Sequence, residues 1–104
     1  MTPENVNILT KHLHHLLTLE KAGYMKGLNQ HEINDLIQVA RVEFFGAGYN
    51  PDVWCPPCLA EMIKNIYNQF TQYLKRETGD IAGYQYNVDA IEAMIKVYNN
   101  IKAN

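Results

Sequence analysis

Apolar residues recur every three or four positions in four stretches of the chain, which is the spacing of an amphipathic helix. The first helix is predicted to begin at Thr2 and Pro3, because threonine caps helix starts and proline suits the first turn. Gly23 favours its end, since glycine adopts the left-handed conformation that closes many helices. The predicted buried stripe of this helix is Val6, Leu9, Leu13, Leu16 and Leu17.

The second helix is predicted to start with a capping box. Asn29-Gln30-His31-Glu32 has the required pattern, an Asn followed three residues later by a Glu. Residues 46–53 follow as a loop, because their Gly, Asn, Pro and Asp residues do not continue a helix. The predicted apolar face of the second helix is Ile33, Leu36, Ile37, Ala40 and Phe44.

The third and fourth helices are predicted after Pro57 and after Asn87, which caps the last helix. Ile66 and Phe70 lie at the centre of the third stripe and are expected to be buried. Gly79 closes this helix, and residues 81–86 form a loop with one short extended piece. The third stripe is Leu59, Met62, Ile63, Ile66, Tyr67, Phe70, Tyr73 and Leu74, and the fourth is Val88, Ile91, Met94, Ile95, Tyr98 and Ile101.

These elements predict an all-α fold, a small antiparallel bundle of about four helices in a single domain over residues 1–104. The length matches the usual domain of roughly 100–150 residues. Short connections between consecutive helices favour antiparallel neighbours.

Composition and charge narrow the function. The chain has 9 Lys and Arg against 11 Asp and Glu, a net charge of −2, and the basic residues are scattered. Nucleic acid is therefore not expected as a ligand, because phosphate binding needs a clustered basic surface. No apolar run approaches the roughly 18 residues of a membrane span, so no membrane association is expected and the predicted location is cytoplasmic.

The motif with the most chemical content is Trp54-Cys55-Pro56-Pro57-Cys58, which contains the only two cysteines. As a redox dithiol, Cys55 and Cys58 would lie at the positive end of a helix dipole, which stabilises a thiolate. In a reducing compartment a disulfide between them is expected to be transient.

The residues Trp54-Cys55-Pro56-Pro57-Cys58-Leu59-Ala60-Glu61-Met62 resemble the active-site segment of the membrane-associated thiol-reductase branch of the thioredoxin family. The resemblance implies thiol–disulfide exchange by Cys55 and Cys58. No proline follows Pro57, so the cis-proline that positions the substrate in that family has no counterpart. We therefore expect no enzymatic function and no catalytic residue.

Two further interpretations of the motif stay open. A zinc site would use Cys55 and Cys58 with His12 and His15, which are three residues apart on one helix face. In the structural interpretation, which we favour, the cysteines are small apolar residues at a helix start, and Trp54 packs there as a hydrophobic staple. His14 and His15 are then polar surface, with His12 on the flank, and no cofactor is expected.

Aromatic residues in the loops suggest a contact surface. Tyr49, Trp54, Tyr84 and Tyr86 are amphipathic side chains of the kind enriched at interfaces, although packing onto the helices explains them equally well. The chain also resembles small all-helical structural proteins of tailed phages, among them head–tail connector and ring components. That resemblance implies a non-enzymatic assembly role, with protein partners, a homo-oligomer or larger assembly, and a virion location.

Overall fold

The computed structural model describes residues 1–25, 27–79 and 87–103, and these residues contain no strand. Five α-helices and one π-helical segment, Arg41–Phe45, occur in these ranges. The predicted all-α fold, a small helical bundle, is therefore confirmed. The helices are α1 Pro3–Lys11, α2 Leu13–Ala22, α3 Gln30–Ala40, α4 Pro56–Thr78 and α5 Val88–Ala103.

The chain divides into two compact units, Met1–Tyr67 and Asn68–Asn104, whose boundary lies inside α4. The first unit contains α1 to α3, the π-helical segment and the beginning of α4. The second contains the rest of α4 and α5. The single domain over residues 1–104 stays a prediction, and the extended piece predicted at 81–86 lies outside the described residues.

The predicted helix boundaries are confirmed where local capping sets them. The Thr2 side chain accepts a hydrogen bond from the Asn5 backbone N–H at 3.2 Å, and both hydrogen bonds of the capping box between Asn29 and Glu32 are present. Gly23 closes α2 with a φ of 78°, in the left-handed region that glycine adopts without strain. These signals act over three or four residues, so they do not depend on the tertiary fold.

The first predicted helix is not continuous, because it breaks at His12. His12 has φ −93° and ψ 6°, outside the helical region, and its carbonyl accepts a hydrogen bond from the His15 N–H at 3.0 Å. This i to i+3 hydrogen bond makes a tighter turn than an α-helix. It therefore changes which side chains after His12 face the interior. The prediction that His15 is polar surface and His12 lies on the flank is therefore wrong, since they are only 3% and 2% exposed.

The buried face of α3 also differs from the predicted one. Val39 is buried, whereas Ile37 and Phe44 are only half-buried. Phe44 belongs to the π-helical segment, whose wider turn rotates side chains away from the phase that α3 established. The full buried set of α3 is Ile33, Leu36, Val39 and Ala40.

The stripes of α4 and α5 match the sequence pattern closely. Ile66 and Phe70 are fully buried, as predicted. Three members of the predicted stripes are exceptions, since Leu59 and Tyr73 are half-buried and Ile101 is 49% exposed near the end of α5. In the first unit, the Tyr67 hydroxyl of α4 donates a buried hydrogen bond to the Leu9 carbonyl of α1 at 2.6 Å.

Candidate functional site

The start of α4 is closed by a disulfide between Cys55 and Cys58. Pro56 and Pro57 have no N–H, so Cys58 is the first residue of the helix with a backbone donor, and it donates to Cys55 Sγ at 3.2 Å. Both cysteines are half-buried. The motif is thus a covalently closed helix cap, and the sulfur of Cys55 takes the position that an Asn or Ser oxygen takes in other caps.

Trp54 points away from this cap into solvent. It is 81% exposed, the largest value among the exposed large hydrophobic side chains of the described residues. The predicted staple is therefore wrong, because a staple requires the indole to pack on the first turn of the helix. The other prediction for Trp54, a residue of a contact surface, stays a prediction.

A groove lies between the loop before α4 and the first turns of this helix. Its volume is roughly 430 Å³. The loop wall is braced from inside the unit, since Arg41 Nε donates to the Tyr49 carbonyl at 2.8 Å and the rings of Phe45 and Tyr49 lie 4.6 Å apart. Burial and the neighbouring Glu61 raise the pKa of Tyr49. The lining residues are Tyr49, Pro51, Asp52, Pro57, Cys58, Glu61, Met62 and Asn65.

Of the four predicted interface residues, Tyr49 and Trp54 lie in this part of the first unit. Tyr49 is half-buried and lines the groove, whereas Trp54 is exposed. Tyr84 and Tyr86 lie outside the described residues.

A second cluster, formed by His12, His15 and Glu32, lies where α1 and α2 meet the first turn of α3. His15 Nε2 is 2.5 Å from Glu32 Oε2, and His12 Nδ1 is 3.4 Å from the same oxygen. His12 Nε2 is 3.5 Å from Asp35 Oδ2. One ligand atom from each of His12, His15 and Glu32 lies within 4.8 Å of the others.

Burial and their mutual hydrogen bond shift the pKa values of His15 and Glu32. Desolvation lowers the pKa of His15, against the opposing effect of its hydrogen bond to Glu32. The same hydrogen bond holds the pKa of Glu32 below its usual value, despite the burial that would raise it. At neutral pH the cluster therefore favours neutral His15 beside a charged carboxylate.

The four zinc ligands considered from the sequence, Cys55, Cys58, His12 and His15, do not come together while the two cysteines are disulfide-bonded. His12 and His15 do come together, but their third neighbour is Glu32, while Cys55 and Cys58 are bonded to each other and offer no thiolate. The sequence pattern predicts only a capping role for Glu32. Its contact with His15 spans 17 positions, so no local spacing indicated it.

Within the described ranges, no helix has both the length and the apolar character required to cross a bilayer. The chain matches no protein-family profile, no curated protein and no solved structure.

Proposed function

We propose that this protein is a non-enzymatic assembly module that associates with copies of itself through the start of α4. The observation that carries the proposal is the exposure of Trp54, at 81%, beside a covalently closed helix cap. Tryptophan is among the residues that contribute most binding energy at protein interfaces. A large exposed indole costs solubility in an isolated chain, and burial in a partner removes that cost.

The bracing of the neighbouring loop supports this role. The disulfide, the hydrogen bond from Arg41 to Tyr49 and the contact between Phe45 and Tyr49 all restrict the segment around Trp54. A surface that is already ordered loses less conformational entropy when it binds.

The groove beside the helix cap suggests a head-to-tail contact between copies. In our proposal, the indole of Trp54 of one copy enters the groove of the next copy. There it contacts Pro51 and Asn65, which line that groove. Such a contact joins two different surfaces, and head-to-tail contacts of this kind generate rings when the rotation closes. A ring component of a phage head–tail connector is the finer form of the proposal.

Solution mass tests the association. Multi-angle light scattering or sedimentation velocity of the wild-type chain is expected to show a species larger than a dimer, and Trp54→Ala is expected to give a monomer. Ile101→Ala is the matched control, since Ile101 is also an exposed apolar side chain but lies on α5. A monomeric wild type at high concentration, or equal loss in both variants, would contradict the proposal.

A mixing experiment tests the head-to-tail geometry. Asn65→Arg fills the groove but retains Trp54, whereas Trp54→Ala retains the groove. Neither variant is expected to assemble alone, and an equimolar mixture is expected to form dimers that grow no further. Failure of the mixture to dimerise would exclude this contact.

A redox function is the second candidate, favoured by the hydrogen bond from the Cys58 N–H to Cys55 Sγ at a helix start. In this function the disulfide would accept two electrons and two protons from a substrate dithiol, which gives two thiols here and a disulfide in the substrate. The reverse step, in which the dithiol form gives two electrons and two protons to an insulin disulfide, would support it if this reduction is abolished in Cys55→Ser. Absence of activity would leave the assembly role as the only candidate.

A further inference from the structure

His12 is the most unusual polar residue of the first unit. It is 2% exposed, and neither of its ring nitrogens has a hydrogen-bond partner among the described residues. A buried polar group left without a partner costs about 1–3 kcal/mol, so such groups usually have a function that compensates. The carboxylate oxygens of Glu32 and Asp35 lie 3.4 and 3.5 Å from its two ring nitrogens.

The cluster around His12 has the composition of a metal site. Two imidazoles and one carboxylate are a ligand set that zinc uses, with a water in the fourth position. The rings of His12 and His15 are nearly parallel, with centroids 5.8 Å apart, because the break at His12 turns both toward α3. The chain therefore brings together ligands from two elements that are distant in sequence.

Two of the three ligand–ligand distances lie within about an ångström of those in a tetrahedral zinc site. Zinc–nitrogen and zinc–oxygen bonds of about 2.0–2.1 Å place tetrahedral ligand atoms roughly 3.3 Å apart. His12 Nδ1 and Glu32 Oε2 are 3.4 Å apart, close to that value. His15 Nε2 and Glu32 Oε2 are 2.5 Å apart, so this pair would separate by less than an ångström as the ion replaces their shared proton.

Further contacts hold the ligands in place. Glu32 Oε1 accepts the Asn29 backbone N–H at 3.3 Å, which leaves Oε2 directed at the histidines. Coordination through His12 Nδ1 leaves Nε2–H directed toward Asp35 Oδ2, 3.5 Å away. A carboxylate behind a metal-bound histidine is the usual way in which proteins orient such a ring.

We propose that His12, His15 and Glu32 bind one zinc ion, which fastens the start of α3 to the junction of α1 and α2. Asp35 is a positioning residue that orients His12. The ion's double charge balances the two carboxylates, and it supplies the partner that the buried imidazole of His12 lacks. The role proposed is structural, because the ion joins Glu32 of α3 to the two histidines at the junction of α1 and α2.

Zinc titration of chelator-treated protein, without reductant, tests the proposal. We expect saturable binding of one ion per chain and a higher melting temperature in calorimetry. Glu32→Gln is expected to abolish binding, and Asp35→Asn to weaken it about tenfold. His14→Gln and His31→Gln are matched controls, because both histidines are exposed neighbours of the cluster and should leave the affinity unchanged. Absence of saturable binding, or equal loss in the controls, would overturn the site.

Cobalt(II) substitution in the wild type reports the type of ligand atom directly from the visible spectrum. Tetrahedral nitrogen and oxygen ligands give intense visible bands without the sulfur-to-cobalt charge-transfer band of a thiolate site. We expect this spectrum in the wild type and the same spectrum in the double variant Cys55→Ser, Cys58→Ser. A thiolate band, or loss of cobalt binding in the double variant, would assign the metal to the cysteines and overturn the proposal.

Discussion

α3 and α4 both begin with a side chain that accepts a hydrogen bond from a backbone N–H of the first turn, but their surroundings are opposite. At α3 the acceptor is the Asn29 oxygen, and the next polar layer is the buried cluster of His12, His15 and Glu32. At α4 the acceptor is Cys55 Sγ, and the neighbouring Trp54 is exposed to solvent. One helix start thus faces the interior and the other faces outward.

A motif with reactive residue types therefore does not by itself locate a binding site. The segment Trp54–Cys58 has the more distinctive sequence. Its two sulfurs, however, are bonded to each other, and Cys55 Sγ accepts the first backbone N–H of α4. The start of α3 has an ordinary capping sequence. It nevertheless faces the imidazole of His12, the one buried imidazole that has no hydrogen bond among the described residues. Burial of an unsatisfied group, which depends on the fold, distinguishes the two.

The largest expected effect concerns the buried face of α4. Ile66 is fully buried in α4 within the first unit, so Ile66→Ala should lower the free energy of unfolding by about 2–5 kcal/mol. Asn68→Ala changes an exposed position two residues away and is the control. Equal shifts of the midpoint of urea unfolding in the two variants would show that the buried face is wrongly assigned.

Removal of the disulfide tests whether the start of α4 and the histidine cluster at the start of α3 are independent of each other. The bridge closes a loop of only three residue steps, so the double change of Cys55 and Cys58 to Ser should cost roughly 2 kcal/mol. Helix content by circular dichroism and zinc affinity should remain, because the histidine cluster uses neither sulfur. A reductant should produce the same loss in the wild type and none in the double variant. Loss of zinc binding in the double variant would show that the two starts are coupled.

The capping residues of α3 and α1, Asn29 and Thr2, allow a matched comparison of two cap deletions. Asn29→Ala and Thr2→Ala each remove one capping hydrogen bond, so each should cost about 1 kcal/mol in thermal unfolding. Only Asn29→Ala should also weaken zinc binding, because Asn29 helps to fix the turn that holds Glu32. Equal zinc affinities in the two variants would mean that the cap does not position the cluster.

The smallest effect concerns Glu43 of the π-helical segment, which precedes the α4 loop. Its Oε2 accepts hydrogen bonds from Asn5 Nδ2 at 2.7 Å and from the Thr2 N–H at 3.1 Å. Burial alone would raise the pKa of Glu43, but these bonds outweigh it and lower the pKa. Because the folded-state pKa is depressed, the stabilisation is present above the ordinary value of 4.5 and is lost as the pH falls through the folded-state pKa.

Glu43→Gln should therefore cost about 1 kcal/mol at pH 7 and nothing at a pH below the depressed pKa of Glu43. Unfolding midpoints measured across this range check the expectation. A difference between wild type and variant that does not change with pH would assign the stabilisation to side-chain shape and not to charge.

The sequence by itself determined the helices and most of their ends. The Thr2 cap, the Asn29–Glu32 box, the Gly23 stop and the stripe through Ile66 and Phe70 follow from spacings of three or four residues. Such signals act within one or two turns, so they survive any tertiary arrangement. The all-α fold follows from them.

Only the tertiary structure decided which polar residues are buried and what they face. The break at His12 is a small change of backbone angle, yet it turns two histidines expected near the surface toward Glu32. The exposure of Trp54 and the bond between the cysteines likewise depend on how the loop before α4 is held. Contacts over 17 positions have no spacing rule in the chain, because packing free energy summed over the whole unit sets them and no local preference does.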